Sequence, residues 1–125
     1  MMAALTALTD EQRNGLALVL DGREKQLRGQ IEAAQAARVV ATRPEPGDAS
    51  DIAEEDDADQ AMVARHRVEL ADIAAARVRL AGHTYGVCVE CGAPIPYERL
   101  QAYPTAKRCM PCQRGHEQAR SAGGA

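Results

Sequence analysis

Four cysteines, arranged in two closely spaced pairs, constrain the fold of this 125-residue chain more than any other feature. The pairs are Cys88-x-x-Cys91 and Cys109-x-x-Cys112, and 17 residues separate them. This spacing is typical of a four-cysteine zinc site, in which each pair supplies two corners of a tetrahedron. Protein sulfurs then fill all four positions of the metal. We therefore expect one structural Zn²⁺ and no open coordination site for catalysis.

Two other uses of the cysteines are open at this point. A CxxC pair can be a thiol-redox site, and four cysteines can form two disulfides in an oxidising compartment. Two matched pairs within one short segment favour the metal over redox chemistry. The start of the chain has no signal-peptide pattern, which disfavours disulfides and predicts a cytoplasmic protein. We interpret the nearby His83 and His116 as solvated side chains, not as metal ligands.

The composition excludes several fold classes. The chain has no Phe and no Trp, its three Tyr lie between positions 85 and 103, and 25 of its apolar residues are Ala. An aromatic core or an all-β domain is therefore not expected, whereas Ala favours helices. A net charge of −3 argues against non-specific DNA binding. No apolar run approaches the roughly 20 residues that span a membrane.

Two long helical patterns precede the cysteines. The first runs from Thr9 to about Thr42 and begins with a capping box formed by Thr9 and Gln12. The second runs from about Asp51 to Ala81, with Asp51 as an N-terminal cap and Gly82 as the stop. Their apolar positions recur at helical spacing. In the first pattern these positions are Leu16, Leu20, Leu27, Ile31 and Ala34; in the second, the seam comprises Val63, His66, Leu70, Ile73, Arg77 and Leu80.

The segment between the two patterns contains Pro44, Pro46 and Gly47, which break a helix. Each pattern covers about 33 residues, so each helix would span roughly 50 Å. Equal helices joined by a short loop predict an antiparallel coiled-coil hairpin. Gly15, Gly22 and Gly29 recur every seven residues on the first helix. They mark either a place where another surface comes close or a coincidence.

The predicted fold class is therefore mainly α, and the chain divides into two parts. We expect the hairpin over residues 9–82, with a tip loop at 43–51. A four-cysteine zinc finger and a short C-terminal helix, over about 113–121, follow within residues 83–121. Residues 1–8 and 122–125 are expected to be flexible.

The segment that contains the cysteines resembles the zinc finger of the DksA/TraR family, which are bacterial and phage regulators of RNA polymerase. The resemblance rests on the run from Tyr85 to Gly92 (YGVCVECG) and on Ile95, Arg99, Leu100, Ala102, Pro104, Ala106, Cys109 and Cys112. Upstream, Asp48 to Ala53 (DASDIA) reproduces the DxxDxA motif that the family carries at the tip of its hairpin. The resemblance covers about residues 10 to 120.

This resemblance implies a non-catalytic regulator that inserts its hairpin into the polymerase secondary channel. Asp48, Asp51 and Ala53 would form the tip near the catalytic magnesium, and binding would alter open-complex stability. The finger and the C-terminal helix would rest on the outer surface. Arg65 and Arg99 match positions of possible polymerase contacts. The resemblance also implies a cytoplasmic monomer without membrane attachment.

Simpler roles for the acidic residues are also open. Asp51 can cap the second helix and Asp48 can serve the turn, and either role is compatible with a functional tip. The acids that follow suit a solvated helix face near the positive end of the helix dipole. These are Glu54, Glu55, Asp56, Asp57 and Asp59.

The chain departs from the family pattern in two ways. The tip motif lies about three residues closer to Cys88 than in the best-known members. Some members also share a ppGpp site with the polymerase, lined by basic side chains. The corresponding positions here are Asp72, Tyr103 and Gln113, none of which is basic. We therefore expect no ppGpp site of that kind.

The alternative function is a zinc-finger module that binds DNA or another protein without entering the polymerase channel. The finger is locally basic, which is compatible with a nucleic-acid partner, but the negative charge of the hairpin would repel nucleic acid. We expect no independent specific DNA binding. The basic residues are Arg99, Lys107, Arg108, Arg114 and Arg120. No nucleophile–base pair or phosphate-binding loop is evident, so we do not expect an enzyme.

Overall fold

Two long helices and two short ones make up the described part of the chain. The computed structural model describes the backbone of residues 8–41 and 49–123 and the side chains of residues 8–39 and 57–120. In chain order the helices are α1 (Asp10–Ala41), α2 (Ala49–Ala81), α3 (Tyr97–Ala102) and α4 (Met110–Gly123). These ranges contain no strand, only an isolated bridge between Val87 and Pro94. The predicted mainly α class is confirmed.

The capping box predicted at the start of α1 is present. The backbone N–H of Thr9 donates to Gln12 Oε1 at 2.9 Å, and the N–H of Gln12 donates to Thr9 Oγ1 at 3.0 Å. These two bonds satisfy amide groups that have no partner within the helix. The guanidinium of Arg13 also donates to the carbonyl of Leu8 at 2.7 Å, which fixes the chain just before the helix.

The chain forms two compact units. Within the described residues, the first contains 8–20 and 73–123, and the second contains 21–41 and 49–72. Each unit buries residues that the periodicity predicts to face inward, so the helical spacing is confirmed. Of the predicted positions, Leu16, Leu20 and Ile73 are buried in the first unit and Leu27 and Ile31 in the second; Ala76, which the predicted seam did not include, is buried as well. The remaining predicted positions, Ala34, Val63, His66, Leu70, Arg77 and Leu80, are half-buried.

In the second unit, α1 and α2 run antiparallel and are joined by a two-pronged ion pair. Arg23 Nε and Nη2 donate to the two carboxylate oxygens of Glu69 at 2.5 and 2.9 Å. This hydrogen bonding raises the pKa of Arg23 and lowers the pKa of Glu69. Further along the two helices lies an open groove of about 280 Å³. It is lined by Ala34, Gln35, Arg38, Asp59, Gln60, Val63, Ala64 and Arg67.

The C-terminal end of α2 differs in detail from the expected glycine stop. The helix ends at Ala81, but the residue in the left-handed conformation is His83, with φ of 61°. The N–H of Thr84 donates to the carbonyl of Arg79 at 2.9 Å, and the N–H of His83 donates to the carbonyl of Leu80 at 3.3 Å. This is a Schellman motif, which usually has glycine at the left-handed position. Histidine tolerates that conformation better than most side chains.

Among the described residues, the seven-residue glycine repeat of α1 marks no close approach. A Cβ atom at Gly15, Gly22 or Gly29 would meet no described atom within 4 Å. Among the described residues, coincidence is therefore the better interpretation of the spacing.

Most of the predicted tip lies outside the described residues. These exclude residues 42–48, and with them Asp48, and also the side chains of Asp51 and Ala53. Residues 1–7 and 124–125, where flexibility was predicted, are also outside them. Because α2 begins at Ala49, Asp51 is its third residue instead of the predicted cap. None of the helices in the described ranges is both long and apolar enough to cross a membrane.

Candidate metal centre

The first cysteine pair lies on a tight turn between two glycines. The N–H of Cys88 donates to the carbonyl of Ala93 at 2.7 Å, and the N–H of Gly92 donates to that of Cys88 at 3.0 Å. Gly86 has φ of 82° and Gly92 has φ of 75°, a conformation that side chains disfavour. These glycines let the chain reverse around the pair. We call this turn, residues 86–93, the first knuckle.

Space around Gly86 is also limited. A Cβ atom there would lie 2.9 Å from Leu8 Cδ1 and 3.7 Å from Leu100 Cδ1. No comparable neighbour surrounds Gly92, where a Cβ atom would meet no described atom within 4 Å. Leu8 thus packs directly on the first knuckle.

The second cysteine pair lies at the start of α4. This helix begins at Met110, three residues before the predicted Gln113, so Cys112 is within its first turn. The N–H of Gln113 donates to the carbonyl of Cys109 at 2.9 Å. A helical turn brings residues three apart to the same side, so the sulfurs of Cys109 and Cys112 can face one centre. The positive end of the helix dipole also favours thiolates here.

The four sulfur atoms form a single cluster. All four Sγ atoms lie within 4.8 Å of one another, and those of Cys91 and Cys109 are 3.6 Å apart. Zn–S bonds of about 2.3 Å in a tetrahedron place the sulfurs about 3.8 Å apart. The cluster therefore fits one Zn²⁺, as predicted. Neither His83 nor His116 belongs to the cluster. Among the described residues, this is the one group of three or more His, Cys, Asp or Glu side chains close enough together to hold a metal ion.

The electrostatics of the cluster also require a cation. Burial disfavours the thiolate of Cys88, but hydrogen bonds from the backbone of Cys91, Cys109 and Glu90 outweigh it and lower the pKa to about 6. The pKa of Cys112 is raised instead, because its thiol proton is shared first with Cys109 and then with Cys91 and Cys88. Four adjacent sulfurs can all ionise only when a positive ion lies among them.

The apolar core of the finger is small. Tyr85 is buried, its hydroxyl donates to the carbonyl of Pro104 at 2.7 Å, and burial raises its pKa to about 12. Ile95 and Leu100 are fully buried in the finger. The other two tyrosines contribute less, because Tyr103 is 62% exposed and Tyr97 is half-buried.

Sequence reasoning missed two links between the two cysteine pairs and one between α3 and the second pair. The N–H of Val89 donates to the carbonyl of Lys107 at 2.9 Å, and Arg108 pairs with Glu90 at 2.7 Å. Arg99 Nε donates to the carbonyl of Arg108 at 3.2 Å, and its guanidinium lies over the ring of Tyr103, 5.6 Å from the centroid. The available signal was weak: an acidic residue, Glu90, lies within the first pair, and a basic residue, Arg108, lies next to the second.

The remaining predicted site residues are on the surface of their helices or half-buried. Arg65 and Asp72 are exposed on α2. Gln113 is half-buried on α4, where its amide donates to Glu117 at 3.0 Å.

Three comparisons with known proteins agree with this geometry. Residues 83–118 match the sequence model of the prokaryotic DksA/TraR C4-type zinc finger. The structure matches transcription factor DksA2 from Pseudomonas aeruginosa with a TM-score of 0.81 and 26% identity, over 90% of this chain and 88% of that one. The resemblance is therefore confirmed for the zinc finger by the sequence model and for the fold by the structural match.

Curated relatives resemble only part of the chain. An uncharacterised 8.2 kDa protein of Escherichia phage P2 is 56% identical over 41 residues, which are 33% of this chain and 55% of that protein. YteA, an uncharacterised protein of Bacillus subtilis, is 39% identical over 61 residues, which are 49% of this chain and 26% of YteA. The chain thus covers about half of the first relative and a quarter of the second.

Proposed function

We propose that this chain is a non-catalytic transcription regulator that binds bacterial RNA polymerase. The observation that carries the proposal is the match of 90% of the chain to a transcription factor, at a TM-score of 0.81. The DksA/TraR-type finger over residues 83–118 supports it independently. The protein acts in the cytoplasm as a monomer, and its zinc is structural because all four ligands come from the chain.

The proposed regulatory element is the acidic tip between α1 and α2. Asp48, Asp51 and Ala53 enter the secondary channel and bring negative charge close to the catalytic magnesium. Carboxylates near a bound metal ion alter the local field that the ion and the DNA–RNA strands experience. Open-complex stability and initiation change as a result. Two Ala-rich antiparallel helices support this role, because small side chains keep a pair of helices thin.

The remaining contacts lie further from the tip. Arg65 is exposed on α2, where it is free to meet acidic groups of the channel wall. Arg99 contacts the outer surface of the polymerase, and its hydrogen bond to the carbonyl of Arg108 holds the guanidinium in place. The regulator acts without ppGpp, because the carboxylate of Asp72 repels phosphate and Tyr103 and Gln113 supply no positive charge.

A binding experiment tests the choice of partner. We expect the zinc-loaded protein to bind its cognate RNA polymerase without DNA and to leave promoter DNA unshifted without polymerase. Arg65→Ala should weaken polymerase binding about ten-fold, as loss of one interface arginine can. Arg67→Ala is the matched control, since it removes an exposed arginine from the same helix. Tight, salt-dependent binding to DNA alone would instead support the zinc-finger module that binds nucleic acid.

A further inference from the structure

One ion pair connects the two halves of the metal site without using the metal. Glu90 lies between Cys88 and Cys91, and Arg108 directly precedes Cys109. Arg108 Nε donates to Glu90 Oε1 at 2.7 Å. We call this pair the knuckle clasp. It joins segments that are 18 residues apart in sequence but adjacent to the same cluster of sulfurs.

The knuckle clasp is less exposed and more firmly held than an ordinary surface ion pair. The side chain of Arg108 is only 14% exposed, and that of Glu90 is 44% exposed. Two neighbouring bonds hold the backbone on either side of it. The N–H of Val89 donates to the carbonyl of Lys107 at 2.9 Å, and Arg99 donates to the carbonyl of Arg108 at 3.2 Å. With both backbones held, less side-chain freedom is lost in forming the pair.

We propose that Glu90 and Arg108 are positioning residues that slow the loss of zinc from the finger. Release of a metal held by two cysteine pairs requires one pair to move away from the other. The clasp resists that separation. When one pair does open, the clasp keeps its thiolates close to the metal, which raises their effective concentration and favours recapture.

The direction in which one substitution changes the rate of zinc release distinguishes this role from a simple effect of charge. Zn²⁺ with four thiolates carries a net charge of −2, so an adjacent carboxylate destabilises the metal cluster by repulsion. By charge alone, Glu90→Gln would slow zinc release. The clasp predicts the opposite, because the neutral amide oxygen of glutamine accepts from Arg108 more weakly than the carboxylate of Glu90 does.

The test measures the rate of zinc transfer from the loaded, full-length protein to an excess of a chromogenic chelator. Glu90→Gln and Arg108→Gln should each accelerate release about five-fold, the factor expected for a partly buried ion pair. The double variant should release zinc no faster than the faster single variant. High salt should shrink the difference between wild type and variants. Glu98→Gln, which neutralises an exposed carboxylate on α3, should leave the rate unchanged.

Slower or unchanged release from Glu90→Gln would overturn the proposal, and so would fully additive effects in the double variant. If Arg108→Gln fails to fold with zinc, the direction in which Glu90→Gln changes the rate of zinc release decides the test. Glu90 is the more exposed member of the pair, so its substitution disturbs the fold less. The readout is independent of polymerase binding, so the proposed function can fail while the clasp stands.

Discussion

Removal of zinc under reducing conditions is expected to unfold the finger. The apolar side chains buried there, apart from cysteine, are Tyr85, Ile95 and Leu100. Such a small core does not offset the entropy of ordering a segment of this length. Structural zinc supplies about 10–16 kcal/mol in comparable small fingers, and here it neutralises sulfurs that otherwise repel one another. The finger should therefore lose its folded structure completely when zinc is removed and regain it when zinc is added back.

Tyrosine provides a signal that is specific to the finger. All three tyrosines lie between positions 85 and 103 and the chain has no tryptophan, so near-ultraviolet circular dichroism reports on this segment. Burial raises the pKa of Tyr85 to about 12 in the folded protein, against about 10 when it is exposed. The corresponding stability is present below pH 10 and is lost as the pH rises towards 12. After chelation, absorbance titration should show Tyr85 ionising near pH 10.

Two outcomes would contradict the structural role of zinc. A thiol-redox protein would keep its tyrosine signal when stripped of metal and reduced. A disulfide-stabilised finger would resist the chelator but lose the signal on reduction alone. Either result would mean that the four clustered sulfurs serve chemistry other than metal binding.

The second large effect is expected at the tip. Asp48→Asn together with Asp51→Asn should reduce the effect on transcription from a ribosomal promoter at least about ten-fold, or by about 1.4 kcal/mol in activation free energy. The reason is that the amides are nearly the same shape as the carboxylates but bring no negative charge towards the catalytic magnesium. Affinity for the polymerase should change little, since the proposed contacts of Arg65 and Arg99 are retained. Transcription and competition with wild type measure the two quantities separately.

Asp57→Asn with Asp59→Asn is the matched control for the tip. It changes the net charge by the same amount, at two exposed positions of α2 beyond the tip motif. It should leave regulation intact. Equal loss in both variants would show that total charge matters and that the position of the tip acids does not.

The sequence predicted the long helices well because their burial pattern follows periodicity alone. Leu20 and Leu27 are fully buried at the predicted positions, and the capping box at Thr9 is formed. The cysteine spacing predicted the metal site for a similar reason, since CxxC geometry is local. The long-range links were not predicted, because the opposite charges of Glu90 and Arg108 do not by themselves indicate that the two side chains meet. The left-handed residue at His83 was also missed, since Gly82 gave the stronger local signal.

Other differences arise where tertiary contacts override local preference. The short helix α3 has only six residues, too few to give a periodic pattern, and it forms around the buried Leu100. Helix α4 begins at Met110, although Pro111 and Cys112 are poor helix formers. Proline is tolerated in the first turn because its missing N–H has no partner there. The requirement that both cysteines face one centre favours this early start.

Photo-crosslinking of the tip to the polymerase tests the central claim most directly. A photoreactive amino acid replaces Ala53 in one zinc-loaded protein and Arg114, exposed on α4, in another. If the tip enters the channel, the probe at position 53 labels polymerase segments that line the secondary channel beside the catalytic magnesium. The probe at position 114 then labels the outer surface. Labelling of the outer surface from both positions, or from position 114 alone, would contradict insertion of the hairpin.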